Sequence, residues 1–394
     1  MIPELRQAFN ARFNSETYQA FLDWIAGQYH HRPPFRIAET PVFIPQYLKE
    51  QLEEACEELV DVIVRPDFKQ LSESALVPGQ IAPDETAHTT FLVLDFGVCQ
   101  DENGRLYPQL IEAQGFPSLF FYQDFLAKAY RRFFDIPKEV HHHFGGLDSA
   151  AYHELLRKVI IGDSDPENVI LLEVQPEKQT TAIDFFVGKY DYGIEPVCIS
   201  RVRKSGRSLY YERDGRRIDI HKIYNRVIFD ELLKRTDLAR EFDLTDEFDG
   251  QWVGHPNWFF RISKHTLPLF KSKYVPESHY LHQLHAIPDD LEHFVLKPLY
   301  SFAGSGVIIN VKPEDITAVE HPEHYILQRK VAYAPVIPTP DVPAKCEIRM
   351  LLIWEDNAPR PILVNNLVRM SKGEMVGVRY NKDKEWVGGT IGFF

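Results

Sequence analysis

Cysteine is scarce in this 394-residue chain: Cys56, Cys99, Cys198 and Cys346 stand far apart in apolar or helical patterns. That excludes a disulfide framework and any zinc spacing, and predicts reduced, packed thiols. Long hydrophobic runs are also missing. No stretch approaches the ~20 apolar residues of a membrane span, and the N-terminus MIPELRQAFNARF has no apolar signal core, so a cytoplasmic protein without a membrane partner is expected. Positive charge is in deficit, 44 basic against 57 acidic side chains for a net charge of -13, which disfavours nucleic acid as a partner. There is no GxGxxG fingerprint, no Walker lysine following a glycine loop, and no convincing Ser-His or Cys-His pair. What is present, 44% hydrophobic and 26% charged residues, describes a globular chain with room for two or three domains.

The most informative stretch is His293 to Val311, HFVLKPLYSFAGSGVIINV. An apolar strand, Phe294 to Leu296, ends in Lys297 and Pro298. A loop carrying Ser301, Ala303, Gly304, Ser305 and Gly306 follows, and Val307 to Ile309 reads as a second strand. Glycines let successive amides face a phosphate, and the lysine adds a fixed cation. The alternative is a plain β-hairpin with a glycine turn.

Upstream, Phe91 to Val98 is a buried-strand pattern interrupted by Asp95, and Tyr107 to Gln114 is a second strand with Glu112 and Gln114 on one face. Paired as a hairpin, they converge two carboxylates and an amide oxygen, a set suited to magnesium. Otherwise Asp95 caps a strand and Glu112 is merely exposed. The triplet His141, His142 and His143 reads as a surface cluster, because neighbours on a helix do not share a face.

Asn168 to Val174, Ala182 to Tyr190 and Gly193 to Ser200 spell strand, helix, strand, hence a parallel βαβ unit. A hairpin turning at Asp214 and Gly215 leads into Ile223 to Lys234, read as a helix, where Arg226 faces an anionic substrate or pairs with Asp230. Lys264 is a solvated helix lysine or a second phosphate contact. Tyr325 to Val331, with Gln328 and Lys330, is a further strand. Glu347 and Arg349 share a face of one late strand, and Asn365 and Arg369 a face of the next, so either a wet cleft or a Glu347–Arg369 ion pair is required.

Together these segments resemble an ATP-grasp fold. Their order, carboxylate strands before the lysine strand, resembles the circularly permuted ATP-grasp group of glutathionylspermidine synthase and its relatives, over roughly Phe91 to the C-terminus. The resemblance implies an α+β and α/β architecture. A helical region would span 1–90, the metal-ligand strands 91–150, a βαβ substrate-side domain 151–240, and a nucleotide-binding lobe 241–394. It implies ATP and magnesium as cofactors, with small-molecule carboxylate and amine substrates joined through an acyl phosphate. Asp95, Glu112 and Gln114 match the family's metal ligands. Lys264 and Lys297 match its nucleotide lysines, Ser301 and Gly304 to Gly306 its phosphate loop, and Gln328 to Val331, with Gln328 and Lys330, its adenine-side strand. Arg369 and Arg349 match a late arginine on the transferred phosphate, with Lys297 beside them. Three positions depart from the pattern: Gln114 replaces an asparagine, and Val93 and Phe302 stand where arginines are usual. Lost anion contacts imply a different acceptor, altered chemistry or lost activity. Nothing in the sequence fixes the oligomeric state.

Overall fold

The computed structural model describes residues 1–300, 306–373, 376, 381 and 383–394. Alternation of apolar and polar residues builds its largest sheet, five antiparallel strands in the order Gly388–Thr390, Ile362–Ser371, Lys345–Ile353, Phe91–Gln100 and Leu106–Gln114. Strands from the first and last thirds of the chain therefore lie side by side. Leu92, Leu94, Phe96 and Val98 point to one face and pack with Leu48, Leu52, Leu59 and Ile63 of the helix Gln46–Ile63. The opposite face begins apolar, with Val93, Leu351 and Ile353, and turns charged towards Asp95, Glu347 and Arg369.

A parallel sheet, Gln251–Val253, Lys222–Asn225, Val169–Glu173 and Glu195–Cys198, carries the helix Ala182–Tyr192 across one face. Ile170, Leu172 and Ile223 pack with the hairpin residues Leu209, Tyr211, Ile218 and Ile220, and Leu171 and Tyr224 pack on the other side. Burial on both faces explains the near-continuous apolar runs. It also corrects the helix expected over Ile223 to Lys234: Ile223 and Tyr224 are strand residues, and the helix is only Phe229–Lys234. The hairpin turns at Asp214 and Gly215 with φ of 52° and 73°, as a two-residue primed turn requires.

The third unit is a small antiparallel sheet, Ser278–Tyr280, Tyr325–Arg329 and Phe294–Pro298. The strand expected from Val307 is reduced to one bridge between Leu296 and Ile308. Helices Pro3–Arg12 and Ser15–Gln28 open the chain, and its last strand, Gly392–Phe393, pairs with Val42–Phe43. All four cysteines are buried and unpaired. Among the described residues, no helix is long and apolar enough to cross a membrane.

Candidate functional site

Register places Arg349, Asp95 and Glu112 in one cross-strand row, and Gly97, Glu347 and Arg369 in the next. Asp95 is fully buried, and both of its oxygens accept from Arg349, Oδ1 from Nε and Oδ2 from Nη2, each at 2.7 Å. Arg369 donates a third bond to Oδ2 at 2.8 Å and a further one to Glu347. Tyr333 donates to the other Glu347 oxygen at 2.9 Å, and Arg349 reaches Ser118 at 3.1 Å. Burial works to raise the Asp95 pKa, but the two arginines outweigh it and hold the carboxyl below its usual range. Burial, with Asp95 nearby, pushes the Glu347 carboxyl up despite Arg369. Asp95 therefore serves two guanidinium groups, where the sequence suggested a metal ligand. Asn365 lies opposite Leu351, away from this network.

Glu112 and Gln114 remain open to another role. Together with Lys264, Asp230, Phe259 and Tyr300 they line a cavity of about 40 Å³ beneath the end of the Lys297 strand. The paired strands shift register after Asp95, leaving Ile111 as an extra residue. Bulges turn backbone groups out of the ladder, and the Ile111 carbonyl accepts from Lys297 Nζ at 3.3 Å. Gln328 Oε1 is the second acceptor. Both partners are neutral. Burial, reinforced by Lys264, brings the Lys297 pKa down to about 8 against the pull of Glu112 and Glu347. Burial also lowers that of Lys264, with Glu112 and Asp230 opposing. Two cations, Lys264 and Lys297, and two carboxylates, Glu112 and Asp230, thus meet at the seam between the small sheet and the large one.

Of the other expected phosphate-loop residues, Ser301, Gly304 and Ser305 lie outside the described residues. Gly306 takes φ of 70°, a left-handed conformation that favours glycine. Lys330 donates to Asn310 at 3.2 Å, beyond the end of its strand.

A second polar cluster sits at the carboxyl end of the parallel sheet, where neighbouring strands lead to opposite sides and ligands of such folds bind. Arg226 follows the Lys222–Asn225 strand and is buried, its guanidinium 4.8 Å above the Phe116 ring. Its Nε and Nη1 have no acceptor, so the pairing with Asp230 does not form. Two carboxyls that sequence reasoning missed face it. Burial pushes Asp184 up to about 6 although Phe121 and Tyr122 amides donate to it, and pushes Glu173 up to about 8 although Arg226 opposes. Both were hidden inside apolar segments.

Between the ordinary carboxyl pKa and about 8, the unfolded chain has released the Glu173 proton and the folded chain has kept it. Stability falls as pH rises through that window. Glu173→Gln removes the linkage, so urea midpoints should show the variant gaining on the wild type between pH 5 and pH 9. A difference independent of pH contradicts the assignment.

The histidine triplet also departs from expectation. His141 is exposed, but His142 and His143 are buried against Asp124. The segment is a loop, so the helical rule that separates adjacent side chains does not apply.

No family model matches the chain, and no curated protein matches it. Among solved structures, a glutathione synthetase-like effector from Globodera pallida, determined in its apo form, is similar with a TM-score of 0.55 at 14% sequence identity. The match covers 90% of this chain and 93% of that one. The mixed α/β architecture described above is therefore the fold of a glutathione synthetase-like protein.

Proposed function

We propose that this chain is an ATP- and magnesium-dependent carboxylate–amine ligase of the circularly permuted ATP-grasp type, similar to glutathionylspermidine synthase. The observation that carries the reading is Lys297, a half-buried lysine whose ammonium group is held, among the described residues, by two neutral oxygens and faces Lys264 and Glu112 across the seam. Such a cation is stabilised by a bound anion. The side-by-side placement of strands from the first and last thirds of the chain supports this reading.

The residues present fit the nucleotide. Lys264 and Lys297 would neutralise its phosphates, and Gln328 supplies a buried Nε2 donor without an acceptor. Glu112 and Gln114 would hold magnesium, which needs few protein oxygens when phosphates and water complete its shell. Asp95 holds Arg349 and Arg369 in place. When bound, ATP would supply a phosphoryl group to a substrate carboxylate with release of ADP, and an amine attacking the resulting acyl carbon would form the amide with release of inorganic phosphate. Arg226, buried and with Nε and Nη1 unpartnered, would donate to that carboxylate. Positioning and charge stabilisation carry such chemistry without a nucleophilic side chain. The 40 Å³ cavity is smaller than a nucleotide, so binding would require its walls around Tyr300 to move apart.

Incubation with ATP, magnesium, hydroxylamine and pooled carboxylic acids should yield ADP and a hydroxamate, and Glu112→Ala should remove the magnesium dependence. Turnover by Glu112→Ala with an unchanged magnesium requirement contradicts the metal assignment. A second reading, a nucleotide-binding module without catalysis, is favoured by the Asp95 clamp on both arginines and by Val93 in an arginine position. Nucleotide binding with no acid-dependent ADP selects it.

A further inference from the structure

The cluster around Asp124 lies far in function from the nucleotide seam, and no step of the proposed ligase reaction uses it. Asp124 is in the first turn of the helix Tyr122–Phe133 and is fully buried. His142 Nε2 lies 3.1 Å and His143 Nε2 3.2 Å from the same oxygen, Oδ1. Ser149 donates to that oxygen as well, at 2.7 Å. On Oδ2, Lys128 Nζ stands at 2.6 Å and His153 Nε2 at 2.9 Å, and His153 Nδ1 meets the Tyr192 hydroxyl.

Hydrogen bonding alone does not satisfy this arrangement. A carboxylate oxygen has two lone pairs, yet three groups converge on Oδ1. His143 Nε2 is the one left over: it is buried and has no hydrogen-bond partner. Charging the imidazoles does not resolve the crowding. The His142 and His143 rings lie 3.9 Å apart, so charging both would set two buried cations against each other. The helix and loop place the ligand atoms of Asp124, His142 and His143 within 4.8 Å of one another.

We infer that Asp124, His142 and His143 form a zinc site. Ligands about 2.0 Å from a tetrahedral zinc ion stand ~3.3 Å apart, close to the 3.1 and 3.2 Å separations between Asp124 Oδ1 and the two imidazole nitrogens. Two neutral imidazoles and one carboxylate are a common zinc donor set. Ser149, Lys128 and His153 fix the carboxylate from behind, as outer groups around metal ligands do. A solvent molecule would take the fourth position.

The site would act as a clasp. The histidine loop is already tied to the chain end, with His141 and Phe394 exchanging backbone hydrogen bonds at 2.8 and 2.9 Å and Asn366 donating to the His142 carbonyl at 3.0 Å. Zinc would link that loop to the helix Tyr122–Phe133.

The test uses full-length protein without a histidine tag, stripped with a chelator and dialysed against zinc alone, with bound metal measured by elemental analysis. Wild type should retain one zinc ion per chain, and cobalt in its place should give the visible absorption of a four-coordinate site. His143→Gln should weaken binding at least tenfold with an unchanged circular dichroism spectrum, and exposed His141→Gln should leave it unaltered. Wild type without stoichiometric zinc overturns the inference, as does equal retention by the His143 variant.

Discussion

Lys297→Ala is expected to lower ATP affinity by about 100-fold. Charge-assisted hydrogen bonds contribute on the order of 1.5–3 kcal/mol each, and about 1.4 kcal/mol corresponds to a factor of ten. Among the described residues Lys297 reaches two neutral oxygens, so its full charge is available to a phosphate. The loss should not come from unfolding. A lysine whose folded pKa is depressed burdens the fold fully below that pKa, and the burden lifts as pH rises towards the ordinary lysine value. Because Lys297 sits near 8, the alanine variant should be at least as stable as wild type at pH 7. Wild-type affinity should also fall above pH 8, where the ammonium group loses its proton, while the variant shows no such step. Calorimetric titration at pH 7 and pH 9 checks both. Equal affinities for the two proteins remove Lys297 from the site.

Asp95→Asn should destabilise the fold by about 3–5 kcal/mol, the usual consequence of removing one partner from a buried ion pair. Three charge-assisted bonds end on Asp95, and the substitution leaves Arg349 buried without its charged partner, bound to Ser118 and at most to one neutral amide oxygen. Arg369 keeps Glu347. The sign of the pH effect follows from the lowered Asp95 pKa. Its contribution is fully present above the ordinary carboxyl value and is lost as pH falls towards the folded value. The gap between variant and wild type in urea midpoint should therefore be widest near neutrality and narrow below about pH 4. A variant as stable as wild type at pH 7 contradicts the clamp.

Local patterns made part of this site readable in the sequence. Lys297 ends an apolar strand, and strand alternation puts Glu112 and Gln114 on one face, so both were visible without any long-range information. Asp95 stood out as one acid in a buried run, but its role did not. Its partners Arg349 and Arg369 lie 254 and 274 residues away, and only the register of the five-stranded sheet brings them to it. The Glu347–Arg369 pairing was one of two readings that residue types allowed. Glu173 and Asp184 gave no signal, because a single acid inside an apolar strand or helix reads as an irregularity until burial is known. His142 and His143 misled for the opposite reason: a triplet suggests a helix face, whereas an irregular loop can turn two adjacent rings towards one carboxylate. Ile223 and Tyr224 look helical by apolar spacing, and parallel pairing with Val169–Glu173 overrode that preference.

The central claim is that the seam holding Lys264, Lys297, Glu112 and Gln114 is a nucleotide site. Titration of the full-length protein with ATP in the presence of magnesium tests it most directly. The account predicts saturable binding of one ATP per chain, weakened about 100-fold by Lys297→Ala. No heat of binding at millimolar ATP, or binding indifferent to that substitution, would contradict it.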